Sequence, residues 1–300
     1  MTSAGKKVMV LAQFSLLKPM TRPDLPPEIR QPIQQTAAHP AFEKLARLGY
    51  AAKGIVYFVV GLLAAQAAIG IGGRTTDTSG ALQEIVTQPF GKLLLSLVAI
   101  GIVGYVLWRL VQAVLDPEGT GRATGAKRIA QRIGYLISAI AYSGLALTAI
   151  QLILGTGSSG GNASQDWTAR LLAQPFGQWL VGLAGLIVLG VGLSYFYQAY
   201  TAKFQRHFKL NQMNSTERTW AKRLGQFGIA SRGVVFSIIG LFVILAALYS
   251  NASEVKGLGE ALAVLSQQSF GPWLLGIVSL GLIAYSIFSL IEARYRQLVH

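Results

Sequence analysis

The chain has 300 residues, 52 % of them hydrophobic and only 13 % charged, yet it carries a formal net charge of +14. So apolar a composition excludes an ordinary soluble enzyme and a predominantly disordered chain, and it points to a polytopic membrane protein. The absence of cysteine removes disulfide frameworks, thiolate nucleophiles and Cys-ligated metal sites together.

Residues 1–41 read as a disordered cytoplasmic tail. Lys6 and Lys7 followed by VMVLAQFSLL resemble the start of a signal peptide, but Lys18-Pro19 stands where a small-residue cleavage site belongs. Pro19, Pro23, Pro26, Pro27, Pro32 and Pro40 make the next stretch a poor helix. Met20 is a second candidate initiator.

Six long stretches then lack Asp, Glu, Lys and Arg: 54–73, 93–108, 133–165, 171–202, 233–253 and 261–291. A membrane-spanning helix needs ~20 mostly apolar residues. The shortest stretch ends at Arg109, which is expected to snorkel toward the headgroups, and 110–115 continue its apolar pattern. Helices are expected near 50–71, 92–115, 133–154, 178–200, 229–250 and 272–292. The runs are continuous rather than alternating, which argues for helices and not a β-barrel.

All but four of the 26 Lys and Arg residues fall in the tail, the second and fourth loops and the C-terminal end. The four are Arg74, Lys92, Arg170 and Lys256, in the other loops. This asymmetry predicts cytoplasmic N- and C-termini. It also assigns most of the basic charge to topology and lipid headgroups rather than to nucleic acid. The fourth loop, KFQRHFKLNQMNSTERTWAKR, is expected as an amphipathic helix along the inner leaflet. Trp167, Trp179 and Trp273 fit an outer aromatic belt, and Trp108 an inner one.

The chain is also self-similar. ARLGYAAKGIVYFVVG (46–61), QRIGYLISAIAYSGLA (131–146) and GQFGIASRGVVFSIIG (225–240) align, bringing Gly49, Gly134 and Gly228 into register. QPFGKLLL (88–95), QPFGQWLV (174–181) and QSFGPWLL (268–275) align in the same order. Gln112, Gln198 and Glu292, each followed by Ala, match at the ends of the second helices. Repeats of two spans are therefore assigned to 42–118, 127–208 and 221–298. Two spans per unit insert all units in the same sense, which predicts parallel hairpins with pseudo-threefold symmetry about the membrane normal. Short amphipathic stretches at 79–86, 166–173 and 259–266 predict interfacial helices on the outer side. The fold expected is an all-α integral membrane protein of six transmembrane helices.

These repeated motifs resemble the bacterial membrane family Domain of Unknown Function 1206, similarly built of three tandem two-helix repeats. The resemblance covers roughly 42–298. Unit two departs from it at Ser138 and Ala139, where units one and three have Lys53-Gly54 and Arg232-Gly233. The resemblance implies architecture and a bacterial inner-membrane location, or a thylakoid membrane where the host has one. It carries no catalytic residues.

No Asp or Glu lies mid-span, and the intramembrane hydroxyls lack acid or base partners, so no enzymatic activity is expected. No metal or cofactor is expected either: His39 and His207 lie in polar stretches, and His300 ends the chain. The candidate polar residues are few. Lys53 and Arg232 are repeat equivalents near the inner ends of spans one and five, and Arg109 is unique to unit one. Gln66 and Gln151 are equivalents toward the outer side; Gln112, Gln198 and Glu292 form a third set at the inner ends. One expectation is that the cations snorkel to lipid phosphates while the amides bond between helices. The other is a polar ring that binds an anionic headgroup or small anion.

The function expected is therefore a non-enzymatic structural, assembly or lipid-interacting membrane component. Its partners would be membrane lipids, including anionic headgroups on the cytoplasmic side, and another membrane protein, but not nucleic acid. A small-solute or lipid transporter along the pseudo-threefold axis is the alternative, and a pigment- or quinone-binding subunit the weaker one.

Overall fold

Apolar runs of this length bury their backbone polar groups only as helices. The computed structural model describes residues 40–115, 126–156 and 163–297. The N-terminal tail expectation lies outside them. The described helices are α1 (Pro40–Ala68), α2 (Thr78–Thr87), α3 (Gly91–Leu115), α4 (Ala126–Leu154), α5 (Ala163–Leu172), α6 (Gly177–Thr201), α7 (Ser215–Leu248), α8 (Leu258–Ser266) and α9 (Gly271–Tyr295). Six of them, α1, α3, α4, α6, α7 and α9, are long and apolar enough to cross a membrane. The short helices α2, α5 and α8 stand where the amphipathic stretches placed them. No strand occurs among the described residues; an isolated bridge pairs Phe208 with Arg296.

Helices α1, α4 and α7 start well before the apolar runs. α7 begins at Ser215 rather than near 229. Charged residues such as Glu217 and Lys222 are good helix formers, so the apolar boundary marks entry into the bilayer and not the first helical turn. Asn214 fixes that start with a capping box: its Oδ1 accepts from the Glu217 amide at 2.8 Å, and its own amide donates to Glu217 Oε2 at 2.9 Å. Replacing Asn214 with Ala is expected to cost about 1 kcal/mol, seen as a lowered melting temperature.

The fourth loop is not one amphipathic helix. Its first half forms two 3-10 turns, Lys203–His207 and Leu210–Gln212. Phe208 and Met213, which a surface helix would place in lipid, are buried. Phe208 instead packs on Phe288, and the Lys209 amide donates to the Tyr295 carbonyl at 2.8 Å. Trp108 likewise leaves the expected inner belt: it is fully buried with Ala46, Tyr50 and Tyr105. Trp167, Trp179 and Trp273 are exposed.

Each second span opens on the same turn. The Gly91, Gly177 and Gly271 amides donate to the Gln88, Gln174 and Gln268 carbonyls at 2.7, 2.9 and 2.7 Å. A Cβ on these glycines would lie 2.3, 1.9 and 1.9 Å from a carbonyl of the preceding short helix, so no other residue fits. Phe90 and Phe176 take left-handed backbone angles (φ 59° and 63°), which redirects the chain.

Second helices pack on the first helix of the next repeat: α3 on α4, α6 on α7, and α9 back on α1. One hydrogen bond recurs at each junction. The Arg47 guanidinium donates to the Ala293 carbonyl at 2.7 Å, Arg132 to the Ala113 carbonyl at 2.6 Å, and the Gln226 amide to the Ala199 carbonyl at 2.9 Å. All three donors are repeat equivalents, and so are all three alanines. The outer side follows the same cyclic order. α2 packs on α4, Gln165 of α5 donates to the Val255 carbonyl at 3.1 Å, and Gly259 of α8 packs on Thr76.

Within the repeats the packing differs. Gly49 of α1 lies against the Tyr105 backbone of α3, and Gly228 of α7 against the Tyr285 backbone of α9. Gly134, their equivalent on α4, has nothing among the described residues within 4 Å of where its Cβ would be. α4 and α6 share no substantial contact among the described residues. The middle hairpin is splayed.

Candidate functional site

The ends of the spans at which the described chain begins and ends hold a row of alternating cations and aromatic rings. Lys53 of α1 is at its centre, 3 % exposed. Its Nζ lies 3.4 Å from Glu292 Oε2 of α9. It also stands 4.9, 5.3 and 5.1 Å from the ring centres of Tyr50, Tyr105 and Tyr285. The second Glu292 oxygen accepts from the Arg296 guanidinium, one helical turn on, and that guanidinium covers Tyr50.

The two tyrosines flanking Lys53 each hold an arginine by the hydroxyl. Arg109 Nε donates to Tyr105 Oη at 2.8 Å, and a second guanidinium nitrogen reaches Gln112 Oε1 at 2.9 Å. On the other flank, Arg232 donates to Tyr285 Oη at 2.6 Å and to Tyr195 Oη at 3.3 Å. Its guanidinium carbon lies within 5.3 Å of the ring centres of Tyr57, Tyr195, Phe236 and Tyr285. Tyr105 and Tyr285 are repeat equivalents, so the row runs Arg109, Tyr105, Lys53, Tyr285, Arg232, Tyr195. Tyr142 of α4 closes on it with its ring centre 4.6 Å from that of Tyr105.

Electrostatically the cluster is unbalanced. It holds four cations, Lys53, Arg109, Arg232 and Arg296, against one carboxylate, Glu292, which pairs with Lys53 and Arg296. Among the described residues no ion pair involves Arg109 or Arg232. Removing cations from water costs several kcal/mol each. Each cation–ring contact offsets roughly 0.5–2 kcal/mol of it, and the phenol oxygens supply acceptors. Some buried hydrogen-bonding capacity is left over: the Arg232 Nε, the Gln112 side-chain nitrogen and the Ser289 hydroxyl have no partner among the described residues. A buried polar group without a partner is the feature a ligand or water would complete.

The cations do not snorkel as expected. Lys53 is enclosed, and Arg109 folds back onto Tyr105 and Tyr135, because a carboxylate, phenols and rings meet them inside the protein. Lys53, Arg109, Arg232, Gln112 and Glu292 come together. Gln198 does not: it is exposed on α6, which the splayed hairpin carries away from α4. Gln66 is half-buried and Gln151 exposed, both toward the outer side. The aromatic members Tyr50, Tyr57, Tyr105, Tyr195 and Tyr285, and also Arg296, are absent from the sequence-derived candidates. Two signals pointed to some of them: the register shared by Tyr105 and Tyr285, and the four-residue spacing of Glu292 and Arg296. Elsewhere, a groove of about 410 Å³ between α7 and α9 is lined by Trp220, Ile287, Leu290 and Arg294 and contains none of Lys53, Arg109 and Arg232.

The model of the family Domain of Unknown Function (DUF1206) matches three successive segments, 48–116, 133–202 and 227–296. The chain belongs to the DUF1206 family. The three matches coincide with the two-span repeats. The DUF1206 chain is similar to the uncharacterized protein YxxB of Bacillus subtilis (strain 168), 38 % identical over 259 residues, which is 86 % of this chain and 93 % of that protein. No solved structure matches it.

Proposed function

We propose that this DUF1206 protein is a non-enzymatic, lipid-interacting component of a bacterial inner membrane that holds an anionic group at the cation–tyrosine cluster. Both termini are cytoplasmic and the three hairpins stand about a pseudo-threefold axis. The orientation rests on the Lys and Arg asymmetry. The symmetry rests on the equivalent hydrogen bonds from Arg47, Arg132 and Gln226. The observation that carries the binding role is the excess of cations over Glu292, together with the nitrogens of Arg232 and Gln112 that have no partner among the described residues. Transport along the axis fits less well. Lys53, Tyr57 and Tyr285 are buried and packed on one another, which opposes an open polar path there.

The test is retention of an anion by purified full-length protein, read by native mass spectrometry and by thermal stabilisation. Inorganic phosphate and phosphatidylglycerol are the probes, with phosphatidylcholine as the uncharged-net control. Wild type is expected to gain stability with one of the anions, and Arg109→Gln with Arg232→Gln to lose at least tenfold in apparent affinity. Equal response of wild type and variant would refute the binding role. Reporters fused at the C-terminus and in 203–214 are expected on the cytoplasmic side.

A further inference from the structure

Resting on the anion-holding role above, we infer that the ligand is an anionic phospholipid, which enters sideways between α4 and α6 and places its phosphate against Arg232. Each inter-repeat junction is tied at the same end by an equivalent hydrogen bond. Arg47, Arg132 and Gln226 each tie the start of one span to the last carbonyls of its neighbour. Phe204 and Phe208 meet Phe288 edge-on at ring-centre distances of 5.0 and 5.8 Å and fill the inner end beside α9. The opening that remains is lateral, within the middle hairpin.

Repeat register identifies the lining of that opening. Gly49 and Gly104, like Gly228, press against the other helix of their own hairpin. The equivalents in the middle hairpin, Gly134 and Gly190, meet nothing among the described residues within 4 Å. Tyr142 stands on the α4 side, against Tyr105, and Tyr195 on the α6 side, against Phe236. Behind Tyr195 lies Arg232, partly exposed, with its two phenol partners and no carboxylate among the described residues. Unit two lacks the cation of the other two units: Ser138 stands where Lys53 and Arg232 do. The open hairpin therefore offers space where the closed ones offer charge. A lipid phosphate fits both conditions. Its acyl chains remain in the bilayer outside α4 and α6, while a guanidinium and phenol hydroxyls receive the headgroup.

The cysteine-free chain allows the opening to be blocked after folding. Gly134→Cys and Gly190→Cys are made singly in the full-length protein, purified, and reacted with a bulky maleimide; Ile100→Cys, exposed on α3, is the control. Phosphatidylglycerol binding is then measured with and without competing inorganic phosphate. Labelling at 134 or 190, but not at 100, is expected to lower phosphatidylglycerol binding by about tenfold or more, as is Arg232→Gln without a label. Phosphate is expected not to compete. If phosphate binds and competes while labelling changes nothing, the anion-holding role stands and the lateral lipid route is overturned. If neither phosphate nor phosphatidylglycerol binds wild type, both fall.

Discussion

Replacing Glu292 with Gln is expected to destabilise the protein by about 3–5 kcal/mol, the cost of breaking one side of a buried ion pair. Glu292 is 6 % exposed and is the one carboxylate that reaches both Lys53 and Arg296. Its loss leaves two neighbouring cations facing each other beside Arg109. Lys53→Met should cost less, because Glu292 keeps Arg296 as its partner and methionine fits among the rings of Tyr50, Tyr105 and Tyr285. The double variant should be more stable than Glu292→Gln alone. Thermal unfolding of the detergent-solubilised variants checks this ordering. A Glu292→Gln protein as stable as wild type would mean that water, not the ion pair, supports Lys53.

The second large effect separates three glycines that the sequence presents as equals. A Cβ at Gly49 would sit 2.6 Å from the Tyr105 amide nitrogen, and one at Gly228 would sit 2.5 Å from that of Tyr285. Both neighbours are backbone inside packed hairpins and cannot give way by rotating. Gly49→Ala and Gly228→Ala are expected to cost at least about 1–3 kcal/mol through overpacking, and the leucine variants to prevent folding. Gly134→Ala meets open space, and is expected to be neutral or to gain up to about 1 kcal/mol from helix propensity. Yield and melting temperature of the alanine variants decide the matter. Equal losses at all three positions would mean that the middle hairpin closes like the others.

Much of this architecture was legible in the residues. Six charge-free runs located the spans, since the cost of burying charge in lipid leaves a plain trace. The repeated Gly and Phe-Gly elements located the units and their turns. Lys53, Arg109, Arg232, Gln112 and Glu292 stood out because polar groups near apolar runs are few. What stayed hidden depended on which way helix faces turn. Tyrosine is ordinary in a span, so only the shared register of Tyr105 and Tyr285 set them apart from Tyr197 or Tyr200, which are exposed, and register alone does not say that they hold the arginines. Gln198 was misplaced because alignment treats the units as alike, whereas α4 and α6 stand apart. Trp108 at a helix end reads as a belt residue until Ala46 and Tyr50 are found covering it.

The bonds from Arg47, Arg132 and Gln226 have a topological consequence. Each joins unlike faces, the front of one unit and the back of another, and a head-to-tail contact of this kind either propagates or closes on itself. Here it closes after three, and the closing contact, Arg47 on Ala293, has the same chemistry as the one between Arg132 and Ala113. The contacts between units thus form a closed cycle that the covalent order does not reveal, while the packing inside the units stays unequal, with α4 and α6 apart.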